Sequence, residues 1–321
     1  EELVKGRGNH HSSGRVLLAL TALAFVACGR KAPPEVKRGP DRNELFTVYA
    51  VSYPLSYFAE RIAPDGVQVL FPVPEGIDPA FWTPSAEEIQ PFQAAGLILL
   101  NGAGYARWTN YATLPEERVV VTADGCRERF LESEDDVRHQ HGPEGTHAHS
   151  GRAFTTWLAF RLAVCQASRI RDAFVERLPE HERAISERFE ALERDLLDFD
   201  ARLREVGKAA AGQTLLASHP VYQYLADAYA LSIESLHLEP EQQLSQEDWR
   251  TLDTLLERHR AKWMLWEGAP LESTQSALAA RGVSVIVFSP TGQKPAEGDF
   301  LRVMRENLLG LECATGVIAC P

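Results

Sequence analysis

The sequence predicts an α/β protein: two lobes, each built on a parallel sheet, joined by one long backbone helix. Three observations carry this expectation. Short β-branched or apolar runs alternate with helical stretches on both sides of the chain's middle. The middle itself is a strongly amphipathic stretch with almost nothing but charge between its apolar positions. Finally, 321 residues with 45% hydrophobic and 24% charged content supply a sizeable core, at a length that suggests about two domains.

Taken in order, residues 1–28 read as an export signal. Lys5, Arg7 and Arg15 precede the apolar run Val16 to Ala27, which ends at Cys28 and Gly29. As a helix that run spans only about 18 Å, short of the ~30 Å of a bilayer core. Phe25-Val26-Ala27-Cys28 looks like a bacterial lipobox, in which Cys28 would be the lipidated residue. Residues 29–44 then form a tether, rich in proline and charge. The expected location is periplasmic or cell-surface, on a lipid anchor.

The N-terminal lobe is expected over residues 45–179. Its candidate strands are Phe46–Val51, Val67–Phe71, Leu97–Asn101 and Val119–Thr122, with helices over Leu55–Ile62 and Ala86–Ala95. The linking helix is expected over 180–207. Ile185, Phe189, Leu192, Leu196, Phe199, Leu203 and Val206 are spaced alternately by four and three residues, a stripe about 33 Å long. The same stripe would suit a dimeric coiled coil, but three heptads at mid-chain fit a helix spanning two lobes better. The C-terminal lobe, residues 208–321, offers strands Thr214–Ser218, Ser232–Leu236, Lys262–Trp266 and Ser284–Phe288. Its helices fall over Val221–Ala230, Gln246–Arg258 and Leu271–Arg281.

A net charge of −12 disfavours nucleic acid as a partner and suits cations. Five cysteines are too few for a disulfide scaffold. Cys313 and Cys320 could close the C-terminal tail, whereas Cys126 and Cys165 read as small buried hydrophobes. No phosphate-binding glycine loop, HExxH or GxSxG occurs, so nothing points to an enzyme.

Parallel sheets bind ligands beyond the carboxyl ends of their strands. His219 follows the strand ending at Ser218, and Pro220 suits the start of a helix; Glu267 and Ser289 follow the next two strands along. Imidazole and carboxylate together are good ligands for a divalent transition metal. Each alone also fits a plainer role, His219 as a helix cap and Glu267 as the partner of a Lys or Arg. Four of the ten histidines, His139, His141, His147 and His149, crowd into RHQHGPEGTHAHSG, a composition that binds zinc-like metals. A solvated polar loop is the plainer alternative. His181, His237 and His259 lack partner spacing and read as surface residues.

These residues resemble the metal-specific solute-binding lipoproteins of bacterial ABC importers, the zinc/manganese class. The likeness runs from about Phe46 to Phe300. It includes Tyr53-Pro54-Leu55, Pro74-Glu75-Gly76-Ile77-Asp78-Pro79, Ala94–Gly102, Trp108, Thr156-Trp157-Leu158 and the central helix. Its most specific part is Ser218-His219-Pro220-Val221-Tyr222-Gln223-Tyr224-Leu225. The resemblance implies the periplasmic metal-binding-protein fold, a metal site in the interlobe cleft, and delivery to an ABC permease and its ATPase. A monomer is expected, with no nucleic-acid partner.

Ala80, Thr155 and Ser289 stand where that family carries metal ligands. A rebuilt site is therefore expected, with His147, His149, His219 and Glu267 as ligands and Asp78, His139 and His141 as further candidates. Three imidazoles and a carboxylate suit tetrahedral Zn²⁺ better than Mn²⁺. Protonation of the imidazoles should weaken binding as pH falls through ~6.5. The alternatives are a metal-buffering or adhesin-like surface lipoprotein and, further off, a metallo-hydrolase.

Overall fold

A computed structural model describes residues 45–131, 138–140, 146–148 and 153–320. The export signal, the tether, Cys28, His141 and His149 lie outside the described residues. Of His139 and His147 only the strand backbone is described.

The first sheet contains β1 (Phe46–Ala50), β2 (Val67–Leu70), β3 (Leu97–Leu100) and β4 (Val119–Val121), all parallel, in the order β2-β1-β3-β4. Helices α1 (Tyr53–Ile62) and α2 (Ala86–Ala94) connect these strands. Ser85 opens α2 with a capping box, its hydroxyl accepting from the Glu88 amide while the Glu88 carboxylate accepts from the Ser85 amide. A short antiparallel pair, β5 (Arg138–Gln140) and β6 (Thr146–Ala148), sets His139 opposite His147.

Helix α3 (Phe160–Arg177) leads into α4 (Glu182–Ala209), the long amphipathic helix. Every position of its stripe from Ile185 to Val206 is buried, and α4 packs on α1, α3 and α8 (Phe300–Thr315). The stripe is satisfied inside one chain, so it leaves no seam for a coiled-coil partner. Near the end of α4, Gly207 lies directly against the Tyr229 carbonyl, where a Cβ would collide with backbone.

The second sheet holds β7 (Thr214–Ala217), β8 (Ser232–Ser235), β9 (Trp263–Trp266) and β10 (Ser284–Val287), again parallel, in the order β10-β9-β7-β8. Helices α5 (Gln223–Tyr229), α6 (Gln246–His259) and α7 (Glu272–Ala280) make the crossovers. The main core is continuous from Val48 and Leu99 through Phe174 and Phe199 to Leu265 and Phe300. A smaller cluster of Leu216, Leu252, Met264, Trp266 and Leu278 packs α6 and α7 on the second sheet.

Seven of the eight expected strands end a residue short of their expected ends, while β9 instead starts a residue late and ends at Trp266 as expected. Two helices, α3 and α8, lie beyond those expected from the sequence. Both are buried on one face and carry charge on the other, but neither has the unbroken stripe of α4. Two further expectations need correction. Cys126 and Cys165 are joined by a disulfide rather than being isolated small hydrophobes; the sequence places them 39 residues apart, and only the packing of the Cys126 turn on α3 brings them together. Cys313 and Cys320 are also bonded. Helix α5 starts at Gln223 and not beside Pro220, so His219 sits in an irregular turn two residues clear of the helix cap, Tyr222.

Candidate metal centre

Both sheets reverse their winding at one point: β1 has β2 on one side and β3 on the other, and β7 lies between β8 and β9. Such switch points leave a crevice beyond the strand ends. His219 follows β7 and Glu267 follows β9, the two strands that flank the second crevice. The amide of Ser218 donates to the Leu265 carbonyl at 2.8 Å, holding the two strand ends together up to the residue before the imidazole.

His219 is 5% exposed. Its Nδ1 stands 3.5 Å from Glu267 Oε1 and 3.7 Å from Glu239 Oε1. The His237 and His219 rings stand nearly perpendicular at a centroid distance of 5.8 Å. His237 is exposed, as the sequence suggests, yet it is a neighbour of the buried imidazole. His259 is a clearer correction: its side chain is only 17% exposed and its Nε2 lies 3.8 Å from Glu234, so the last residue of α6 meets β8.

Glu239 and Glu267 open into a cavity of about 420 Å³. Its other walls come from the first lobe, through Asp78, Tyr105, Phe154, Thr155 and Trp157, and from the turn Ser289–Gln293. Asp78 is held in its own turn, its Oδ1 accepting from the Ala80 amide at 2.8 Å. The floor is braced across the lobes. Thr155 donates to the Val221 carbonyl at 2.6 Å, and Trp157 donates to the Pro290 carbonyl at 2.7 Å. Burial pushes the Tyr222 phenol well above its ordinary pKa, aided by the negative charge of Glu267, so it stays protonated and donates to the Phe288 carbonyl at 2.8 Å. Burial likewise raises Tyr105, with a smaller push from Asp78.

Three positions carry no ligand, each for a visible reason. Ala80 offers only a buried methyl group with no donor atom, and the Thr155 hydroxyl is spent on Val221. Ser289 is absorbed by its own turn: its amide donates to Asn307, its carbonyl accepts from Asn307, and its hydroxyl accepts from the Thr291 amide. Of the expected ligands, the structure brings His219 and Glu267 together and sets Asp78 on the cavity that Glu267 lines. It describes no side chain of the histidine-rich segment. Among the described residues, no three His, Cys, Asp or Glu side chains are arranged to hold an ion.

Sequence reasoning missed Glu239. Its signal was present in the alternation Leu236, His237, Leu238, which continues the strand pattern past Ser235.

Residues 48–314 match the sequence family described as "Zinc-uptake complex component A periplasmic". The chain belongs to this zinc-uptake component A family. Its members are solute-binding components of ABC importers and not enzymes. One curated relative, the high-affinity zinc uptake system protein ZnuA of Bacillus subtilis, is 24% identical over 311 residues, 94% of this chain and 96% of the relative.

The fold is that of solved relatives. The metal-dependent lipoprotein YcdH of Bacillus subtilis superposes with a TM-score of 0.72 at 21% identity, covering 84% of this chain and 99% of that one. The Zn(II)-bound ZnuA-like domain of Streptococcus pneumoniae AdcA gives 0.71 at 19% identity, covering 84% and 98%. The zinc-uptake component A family is extracytoplasmic by its description, and among the described residues no helix is long and apolar enough to cross a membrane.

Proposed function

We propose that this chain captures a divalent transition-metal ion, zinc foremost, in the cleft between its lobes and delivers it to an ABC permease. One observation carries the reading: a nearly buried imidazole, His219, lies 3.5 Å from the carboxylate of Glu267, and Glu267 shares the lining of one cavity with Asp78. Neutral imidazole and carboxylate are the donors that zinc takes. The relatives named for zinc uptake supply the choice of cargo.

The ligand set we infer pairs His219 and Glu267 with His147 and His149 from the histidine-rich segment. Asp78, His139 and His141 are further donors. That segment re-enters the described chain at Ala153, and the next two residues, Phe154 and Thr155, line the cleft. Capture by a histidine-rich stretch followed by transfer to a fixed pocket suits a carrier whose cycle is binding and release. Cys28 is the proposed lipid attachment point, with residues 29–44 as the tether; the ATPase acts through the permease.

Calorimetric titration of the metal-free protein with ZnCl₂ tests the reading. Wild type should bind tightly, and His219→Ala combined with Glu267→Ala should weaken binding by more than about 100-fold, beyond the ~10–100-fold that loss of a merely supporting group costs. Unchanged affinity in the double variant would remove the cleft from consideration.

A further inference from the structure

Strand β8 does not stop pairing at Ser235. The Leu236 amide donates to the Ala217 carbonyl at 2.8 Å, and the Leu238 amide donates to the Ser218 carbonyl at 2.7 Å. The chain therefore stays on the edge of β7 until Glu239, which leaves the sheet at the same rim as His219. Since β7 lies between β9 and β8, the imidazole is flanked by one carboxylate on each side, Glu267 and Glu239.

Both carboxylates approach the same ring nitrogen, Nδ1, at 3.5 and 3.7 Å. Bonds of ~2.0–2.1 Å to tetrahedral zinc would place ligand atoms about 3.3–3.4 Å apart. The two separations are thus about 0.1 to 0.4 Å longer than a shared ion would make them. Tyr105, which lines the same cavity as Glu239 and Glu267, is 6% exposed, and its hydroxyl has no hydrogen-bond partner among the described residues. A buried O–H without an acceptor costs about 1–3 kcal/mol, so a cavity that keeps one is suited to an incoming acceptor, such as water or carboxylate on a cation. Two carboxylates with a neutral imidazole also balance the charge of a dication.

We propose that Glu239 is a direct ligand of the divalent cation, supplying from β8 the negative charge that Ser289 cannot supply from β10. The inference rests on the cleft-binding reading above. It makes the C-terminal lobe a Glu/His/Glu donor set, with the two carboxylates drawn onto the ion as it enters.

The test compares Glu239→Gln with Glu241→Gln, the latter removing a neighbouring charge that lines the same cavity. Both are titrated with ZnCl₂ by calorimetry and loaded with Co²⁺ to record its d–d absorption. Glu239→Gln should lower zinc affinity by more than about tenfold and alter the Co²⁺ spectrum; Glu241→Gln should do neither. If Glu239→Gln melts early without metal, Glu239→Asp keeps the charge on a shorter arm, and its Co²⁺ spectrum should still shift. Wild-type affinity and spectrum in the Glu239 variants, with binding lost in His219→Ala or Glu267→Gln, would overturn this inference alone. Equal losses in the Glu239 and Glu241 variants would also overturn it, as a general field effect. Unaltered binding in every variant would bring down the cleft reading and this inference together.

Discussion

The phenolic oxygen of Tyr224 accepts a hydrogen bond from the Leu131 amide at 3.2 Å. The same hydroxyl donates to the Ala153 carbonyl at 3.3 Å, and the Ala153 amide donates to the Leu131 carbonyl at 3.2 Å. Leu131 and Ala153 bracket the stretch that contains His139, His141, His147 and His149. A side chain five residues beyond His219 therefore fastens both ends of the histidine-rich stretch.

Tyr224→Phe removes this double contact while keeping the ring. With each buried hydrogen bond worth ~0.5–1.5 kcal/mol net, and two backbone groups left short of a partner, stability should fall by about 1–3 kcal/mol. Urea denaturation of the metal-free protein measures the loss.

Gly207→Ala should be among the most disruptive single changes in α4. The new methyl would meet the backbone carbonyl of Tyr229, which cannot swing away as a side chain could. Overpacking of this kind costs about 1–3 kcal/mol or more. A lowered melting temperature, with helical circular dichroism retained, is the expected signature.

Asp200 is nearly buried on α4, where it accepts from Arg161 Nε at 3.0 Å and from Arg204 Nε at 3.0 Å. The two arginine side chains are 58% and 44% exposed. Removing both arginines leaves the buried carboxylate without a countercharge, held by the Tyr229 hydroxyl at 3.4 Å, and should cost about 3–5 kcal/mol, whereas Asp200→Asn releases guanidinium groups that water can solvate and should cost less. Chemical denaturation of the two variants would reverse this order if the arginines merely decorate the surface.

Asp253 accepts from Arg281 Nε at 2.7 Å, and this hydrogen bond lowers its pKa from the ordinary carboxylate value. A depressed pKa means stability that is present above the unfolded value, near ~3.9, and lost as pH falls through the folded one. Because the pair is exposed, Asp253→Asn should cost less than about 1 kcal/mol at neutral pH. The gap from wild type should close as pH drops below about 4, as paired denaturation curves would show.

Zinc should raise the melting temperature by mass action. At a free concentration 100 times Kd the stabilisation is ~2.7 kcal/mol, or roughly 4–5 °C for a domain of this size. Thermal scans with and without ZnCl₂ check it, and a flat response would contradict tight binding to the folded state.

The sequence by itself determined the architecture. The β-branched runs of the two sheets, the 4,3 stripe of α4 and the junction at His219 are local patterns, set by the periods of strand and helix, and local patterns survive without knowledge of neighbours. It also marked His219 and Glu267, since a polar residue just past a parallel strand has a predictable place. What only the tertiary structure decided was neighbourhood. Strand order put β8 beside β7 and so brought Glu239 to His219, while the packing of α3 joined Cys126 to Cys165. The fold of α5 likewise set the Tyr224 hydroxyl between Leu131 and Ala153. These pairings span from 20 to 93 positions along the chain, and contacts at such separations are chosen by how layers stack, a cooperative outcome that no single stretch of residues encodes.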